Sequence, residues 1–485
     1  METIHLLQLK AILPELIVLL VAIVGLLVGA FAGERAAKGI TYCAIIGLLA
    51  ACAVHMGLLP AEGKMFNGML IENTFTQSAK ILILLSTVAV LVMLLSHDNR
   101  DSHYRLCEYP VLILLAVAGM MLMVSANHFL ALYMGLELQS LSLYVLATLH
   151  RTHARSSEAG LKYFILGSLA SGLLLFGCSF IYGFSGTLNF DMLYRLLLQD
   201  EHLTIGIVIG LVFVIIGLCF KISAAPFHMW VPDVYQGAPT VVTTFFATAA
   251  KVAGIAVLIR VLQGSFGNAA SQWQHMILIL SMLSMIMGAL GAIRQYNIKR
   301  LLAYSSIGHV GFLLLGMVAG DISGLQAVVI YMIIYVTMTL GAFAIVMMMR
   351  TAEGEHVDIS MFAGLSKSQP VLAACMAIIL LSMAGIPPMA GFVGKFYILK
   401  AAMNKGLYTV AVIGVLASVV SAFYYLRIIK MMYFDEAQGP YAGIKPTELQ
   451  VVAYSMAAFN LVCMFYFTPL VTVGMTVVRT LFIHI

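Results

Sequence analysis

The sequence predicts an all-α, polytopic membrane protein of about fourteen transmembrane helices, and three observations predict it. Hydrophobic residues fill 62% of the 485 positions and charged residues only 10%, against about 45–50% and about 25% in soluble chains. Mean hydropathy is +1.02 over the whole length, so no polar half is left to build a separate soluble domain. The apolar runs are long and unbroken, whereas the strands of a transmembrane barrel alternate polar and apolar.

A helix needs about 20 apolar residues to cross the hydrocarbon core. In order, such runs fall near 11–31, 39–60, 79–96, 109–125, 128–149, 158–183, 203–225, 239–261, 274–293, 300–319, 324–349, 370–403, 407–430 and 449–477. The first is followed by Arg35 and Lys38 and preceded by Glu2. A cleaved signal has its positive charge first, so this run is expected to stay as the first helix. The fourth and fifth runs meet in a very short turn at Asn127. Residues 203–237 are too long for one straight span and carry Pro226 and Pro232; residues 370–403 carry Gly385-Ile386-Pro387-Pro388. Proline removes a donor and clashes with the preceding turn. Backbone freed at membrane depth is tolerated only where it is buried or lines a wet cavity. Two such interruptions in corresponding places indicate an inverted repeat. The predicted organisation is a three-helix flank over 1–105, a five-helix repeat over 106–262 broken near 221–232, a second, inverted five-helix repeat over 263–433 broken near 385–391, and a C-terminal helix over 434–485.

The net charge is +5. No basic run with interleaved aromatics accompanies it, which speaks against nucleic acid as a partner. The excess fits basic loops facing anionic lipid. Alternate connections divide the loop charges unevenly. Arg35, Lys38, Arg100, Arg105, Arg151, Arg155, Arg294, Lys299, Arg300, Arg350, Lys367, Arg427, Lys430 and Lys445 lie on one side; Lys10, Lys64, Lys80, Arg195, Arg260, Lys405 and Arg479 lie on the other. The positive-inside rule then places both termini outside the cytoplasm.

Several ionisable residues fall inside the apolar runs, where a central lysine costs about 2.5–3.5 kcal/mol to insert. Glu137 lies in the fifth run, Lys162 near the start of the sixth, Lys221 just before the Pro226 break, His228 between the two prolines, Lys251 in the eighth run, His309 in the tenth, and Lys395 after the second break. Burial disfavours a charged ammonium and a nearby carboxylate restores it, so a lysine held between the two can release and regain a proton. A row of such sites joined by water is a proton path, and histidines suit relay positions. Lys162 is also placed to snorkel to the interface. No phosphate loop, nucleotide fingerprint, metal cluster or pair of haem-ligating histidines stands in the sequence. The seven cysteines show no CxxC spacing and read as small core residues. No redox centre or other cofactor is expected on this chain.

Five stretches together resemble one family. Gly135 to Tyr144 (GLELQSLSLY), Ser156 to Tyr163 (SSEAGLKY), Lys221 to Thr240 (KISAAPFHMWVPDVYQGAPT), Leu301 to Gly311 (LLAYSSIGHVG) and Ala384 to Lys395 (AGIPPMAGFVGK) resemble the antiporter-like membrane subunits of respiratory complex I. The resemblance covers most of the chain. It implies a proton-pumping module in the bacterial inner membrane, in which Glu137 and Lys162 pair, Lys221 is the central proton site, and His228, Lys251 and Lys395 continue the path. It implies other membrane subunits of the complex as partners, homologous antiporter-like ones among them, with NADH, flavin, iron–sulfur clusters and quinone bound elsewhere. The second repeat lacks counterparts of Glu137 and Lys162, so a second half-channel there would rest on His309, polar side chains and water. Two alternatives stay open: a subunit of a multi-subunit cation/proton antiporter, and a non-pumping structural subunit of the same complex.

Overall fold

The computed structural model describes residues 10–57, 63–96, 106–199, 204–351, 354–355, 357–437 and 446–483. Glu2, Arg100, Arg105 and Lys445, used above for the signal and orientation readings, lie outside the described residues.

The flank begins with α1 (Leu13–Ala32), opened by Pro14 in its first turn and closed at Gly33, and α2 (Ala37–Gly57). A two-stranded hairpin, β1 (Gly63–Met65) and β2 (Leu70–Glu72), leads into α3 (Thr74–Leu95). Asn73 and Thr76 form a reciprocal capping box there, which satisfies two donors that a bare helix start leaves open. The predicted run 109–125 is α4 (Glu108–Ser125), and α5 (Phe129–Thr148) follows. The Asn127 turn between them is pinned: its backbone N–H donates to Met69 O at 2.8 Å, and its amide donates to Asp191 at 2.7 Å. A Cβ on Gly119 would lie 2.6 Å from the Gly135 carbonyl oxygen, so α4 and α5 touch backbone to backbone. Next come α6 (Ala154–Ser185), the short α7 (Phe190–Gln199) and α8 (Ile205–Ile222).

Beyond α8 the chain breaks as predicted. Ser223 takes a positive φ of 61° and residues 224–229 are irregular before α9 (Trp230–Gly237). The next run departs from expectation. Instead of one helix over 239–261 there are α10 (Thr240–Ala247) and α11 (Ala249–Ile259), parted at Thr248, and the run ends in a π-helical turn, Arg260–Ser265. No proline or glycine marks that break. Thr244 and Thr248 each donate to the carbonyl four residues back, at 2.8 and 2.7 Å, and such back-bonding by hydroxyls loosens a helix.

The remaining helices are α12 (Ala270–Ile293), α13 (Ile298–Val318), α14 (Ile322–Met348), α15 (Pro370–Ala384), α16 (Ala390–Asn404), α17 (Tyr408–Phe434), α18 (Thr447–Phe465) and α19 (Thr468–Ile483). The predicted break near 385–391 parts α15 from α16, with Gly385 at φ 80°. The predicted single helix over 449–477 is two, because Pro469 cannot continue a helix through Tyr466 and Phe467. Among the described residues twelve stretches are long and apolar enough to cross a membrane, the first of them containing both α1 and α2; two shorter apolar helices cover Pro370–Ala384 and Thr468–Leu481.

The chain forms two compact units. One comprises 1–222, 249–274 and 479–485; the other comprises 223–248 and 275–478. The segment between the breaks at Ser223 and Thr248 is counted with the second unit.

Candidate functional site

In the first unit, α5 presents Glu137, Ser140 and Tyr144 at helical spacing on one face. The Lys221 ammonium, on the last turn of α8, donates to Ser140 Oγ at 2.7 Å and to Tyr144 OH at 3.3 Å. It also lies 5.5 Å from the Tyr144 ring centroid, where the ring's negative face favours a cation. Glu137 is close enough to act on Lys221 electrostatically, and its Oε1 atom is buried without a hydrogen-bond partner. Lys251, on α11 and 2% exposed, donates to the Ile222 carbonyl at 2.6 Å. That carbonyl ends α8, and the break after it leaves the carbonyl without an intrahelical donor. Glu137, Lys221 and Lys251 thus form one run of polar groups inside a single unit.

Lys162 does not join it. Its ammonium pairs with Glu158 one turn earlier on α6 at 2.7 Å, with the lysine side chain 41% exposed. The expected Glu137–Lys162 pair is not what the structure shows. The spacing along two neighbouring helices leaves their rotation open, and α6 turns Lys162 toward its own first turns.

In the second unit, Lys395 on α16 spends all three donors: on the carbonyls of Met383 and Ala384, each at 3.0 Å, and on Ser418 Oγ at 2.9 Å. Both carbonyls end α15 at the Gly385 break. The seat repeats that of Lys251: a buried ammonium on the carbonyl end of a half-helix, where the helix dipole is negative. Lys395 also acts electrostatically on His309. His309 bonds Tyr331 OH through Nδ1 at 2.6 Å, and its Nε2 is buried without a partner. From there hydroxyls continue. Tyr335 OH donates to the Ala247 carbonyl at 2.8 Å and meets Ser306 Oγ at 2.8 Å, and Ser305 meets Tyr425 OH. Ala247 is the last residue of α10, so this chain also ends on a carbonyl next to a break. His228 is 9% exposed, with Nδ1 buried and unpartnered. It belongs to the second unit.

Sequence reasoning missed three buried cations. Lys299, counted as a loop charge, is 4% exposed and donates to the Ala238 carbonyl after α9 at 2.6 Å. Arg260, in the π-helical turn, donates to the Val124 carbonyl at 2.9 Å. Lys80 is 1% exposed and bridges Glu15 and Glu72 at 2.6 and 2.7 Å. All three lie close to the ends of apolar runs, where interfacial charges are ordinary. Only spatial neighbours distinguish them. Among the described residues no group of three or more His, Cys, Asp or Glu side chains is arranged to hold a metal ion, and the seven cysteines are free thiols.

Comparison with known proteins places the chain in a family. Residues 126–421 match the family model described as NADH:quinone oxidoreductase/Mrp antiporter, TM. The chain is 49% identical over 463 residues to NADH-quinone oxidoreductase subunit N of Rhodospirillum rubrum, covering 95% of this chain and 94% of that protein. Among solved structures, a chain of respiratory complex I from Thermus thermophilus superposes with a TM-score of 0.81 at 30% identity, covering 95% of this chain and 98% of that one. A chain of the Mrp complex from Dietzia superposes at 0.85 with 19% identity, covering 98% and 97%, which is a likeness of fold. With its matched membrane domain, its near full-length identity and its lysines seated on broken helices, the chain belongs to the family of NADH-quinone oxidoreductase subunit N, the antiporter-like membrane subunits of complex I.

Proposed function

We propose that this chain translocates protons as a membrane subunit of NADH:quinone oxidoreductase, using Glu137, Lys221 and Lys251 in one unit and His309 and Lys395 in the other. The observation that carries the reading is the seating of Lys251 and Lys395 on the carbonyl ends of half-helices. A buried ammonium there is held by fixed dipoles, and its charge is balanced without a permanent counter-ion. A shift in the half-helix or in Glu137 changes that balance, and the proton moves. Moving one charge through about 100 mV takes about 2.3 kcal/mol. The loss of one or two hydrogen bonds to a charged group, each about 1.5–3 kcal/mol, is of that size.

Redox chemistry, with NADH, flavin, iron–sulfur clusters and quinone, belongs in this reading to other subunits. The homologous antiporter-like subunits and lipids cover the exposed apolar helix faces, such as Leu20, Leu169 and Leu416. The membrane is the bacterial inner membrane, with both termini on the periplasmic side.

The test is Lys221→Ala in native membranes, with assembly followed by native gel. NADH-driven quinone reduction and proton uptake are expected to fall together while the complex stays assembled. Unchanged pumping in the assembled variant removes Lys221 from the path and favours a scaffold role. Sodium-linked transport without dependence on NADH points to the antiporter instead.

A further inference from the structure

The three N-terminal helices bury an ionic cluster that the lysine row does not use. Lys80 of α3 lies between Glu15 of α1 and Glu72 of β2, at 2.6 and 2.7 Å. Ser125 at the end of α4 donates to the same Glu72 oxygen at 3.1 Å. His55 of α2 closes the cluster, its Nδ1 3.8 Å from Glu72 Oε1, beyond hydrogen-bond reach. The side chains of Glu15, His55, Glu72 and Lys80 are all 3% exposed or less.

The cluster does not balance. One ammonium faces two carboxylates, and four buried polar atoms stand without a hydrogen-bond partner: Glu15 Oε2, Glu72 Oε1, and both ring nitrogens of His55. A buried carboxylate oxygen without a partner is costly. A single proton placed between Glu72 Oε1 and His55 Nδ1 supplies the missing charge and gives both atoms a partner after a movement of under about 1 Å.

A cavity adjoins the strand that carries Glu72. Ile71 and Asn73, on either side of Glu72, line a cavity of about 240 Å³ together with Asn127, Asp191, Arg260 and Lys64. Among the described residues, the charged groups near Glu72 or lining the cavity are few, and Arg195 is one of those at the cavity wall. Glu15 and Lys80 come from α1 and α3, His55 from α2, and Arg260 acts on Glu72 electrostatically from the π-helical turn. Asp191 at the cavity wall is paired with Lys64 at 2.9 Å. Burial pushes the Glu72 carboxyl up, Lys80 pulling against it, so the carboxyl is drawn toward its protonated form.

We propose that Glu72 and His55, with Glu15 and Lys80, hold one exchangeable proton: a second proton-binding site in the N-terminal three-helix flank, separate from the lysine row. The proton arrives from water at the Glu72 carboxylate and is shared with the neutral His55 imidazole. It leaves by the same atoms.

The assembled complex in lipid nanodiscs is the sample, and infrared difference spectra between mildly acidic and mildly alkaline buffer are the readout. Wild type is expected to show the carbonyl band of a protonated carboxylic acid in acid. The band is lost in Glu72→Gln and shifted in His55→Gln. Lys221→Ala keeps it, which separates failure of this site from failure of the lysine row. If Glu72→Gln does not assemble, Ser125→Ala removes one hydrogen bond from Glu72 and is expected to shift the band. Spectra of wild type and the assembled variants that superimpose overturn the proposal. So does a band that follows sodium concentration at fixed pH, which assigns the cluster to a monovalent cation.

Discussion

At the scale of single residues, what separates the site lysines is what their ammoniums touch. Lys221 bonds two hydroxyls, Lys251 bonds the Ile222 carbonyl among its contacts, and Lys395 bonds two carbonyls and a hydroxyl. When Lys395 gives up its proton, two donors remain for three acceptors, and the Ala384 carbonyl keeps the Ser418 hydroxyl as a donor at 3.2 Å. Lys395→Met takes the ammonium from the Met383 carbonyl and leaves Ala384 with only the Ser418 hydroxyl, at 3.2 Å, and is expected to lower stability by about 1–3 kcal/mol, measured as thermal unfolding of the purified complex. Lys162 differs because its partner Glu158 is on its own helix and both are partly exposed. Lys162→Ala is expected to reduce proton uptake by less than about fivefold, the scale of an exposed ion pair. Lys221→Ala is expected to reduce it by at least about tenfold, about 1.4 kcal/mol of barrier. Equal losses in the two variants would refute the distinction. Lys221, Lys251 and Lys395 were legible because a lysine deep in an apolar run is costly to insert and stands out against its neighbours. The partner of Glu137 was not, since helix rotation is not written in spacing. The cluster around Lys80 was hidden because its members come from four elements and each sits near the end of a run.

At the scale of elements, the breaks do the positioning. Gly385 at φ 80° turns the end of α15, and a Cβ there would lie 2.8 Å from Lys395 Cδ. Gly391 is tighter: its Cβ would lie 1.9 Å from the Ser382 carbonyl oxygen, so the first turn of α16 rests on the last turn of α15. Gly391→Ala forces the two half-helices apart, at about 1–3 kcal/mol or more. The variant is expected to lose proton uptake along with thermal stability, read on the same preparation; wild-type values for both would show that the contact does not matter. The proline-marked breaks at Ser223 and Gly385 were readable from composition. The break at Thr248 was not, because threonines that bond back along a helix look in sequence like ordinary span residues. The split at Tyr466 follows from Pro469, which a long apolar window conceals.

At the scale of the whole molecule, hydropathy alone was enough for the fold class, because a chain this apolar can satisfy its backbone in lipid only as helices. The division into units follows the breaks at Ser223 and Thr248. Orientation is testable directly: alkaline phosphatase fused to the C-terminus is expected to be active and a fluorescent protein there dark, and the opposite pattern inverts the topology. One bond has a consequence on this scale. The chain leaves the first unit after Ile222 and re-enters it at Ala249, and the Lys251 bond to the Ile222 carbonyl joins the two ends of that excursion, 29 residues apart in sequence. It is the clasp of a loop. With the clasp shut, the ends of 223–248 are restrained by this bond in addition to the bonds of the segment itself, such as those from Lys299 to the Ala238 carbonyl and from Tyr335 to the Ala247 carbonyl; with it open, one of these restraints is gone. Amide hydrogen exchange in 223–248 is therefore expected to quicken in Lys251→Met and to stay at the wild-type rate in Lys162→Ala, so that the occupancy of one proton bears on how tightly an entire segment is held.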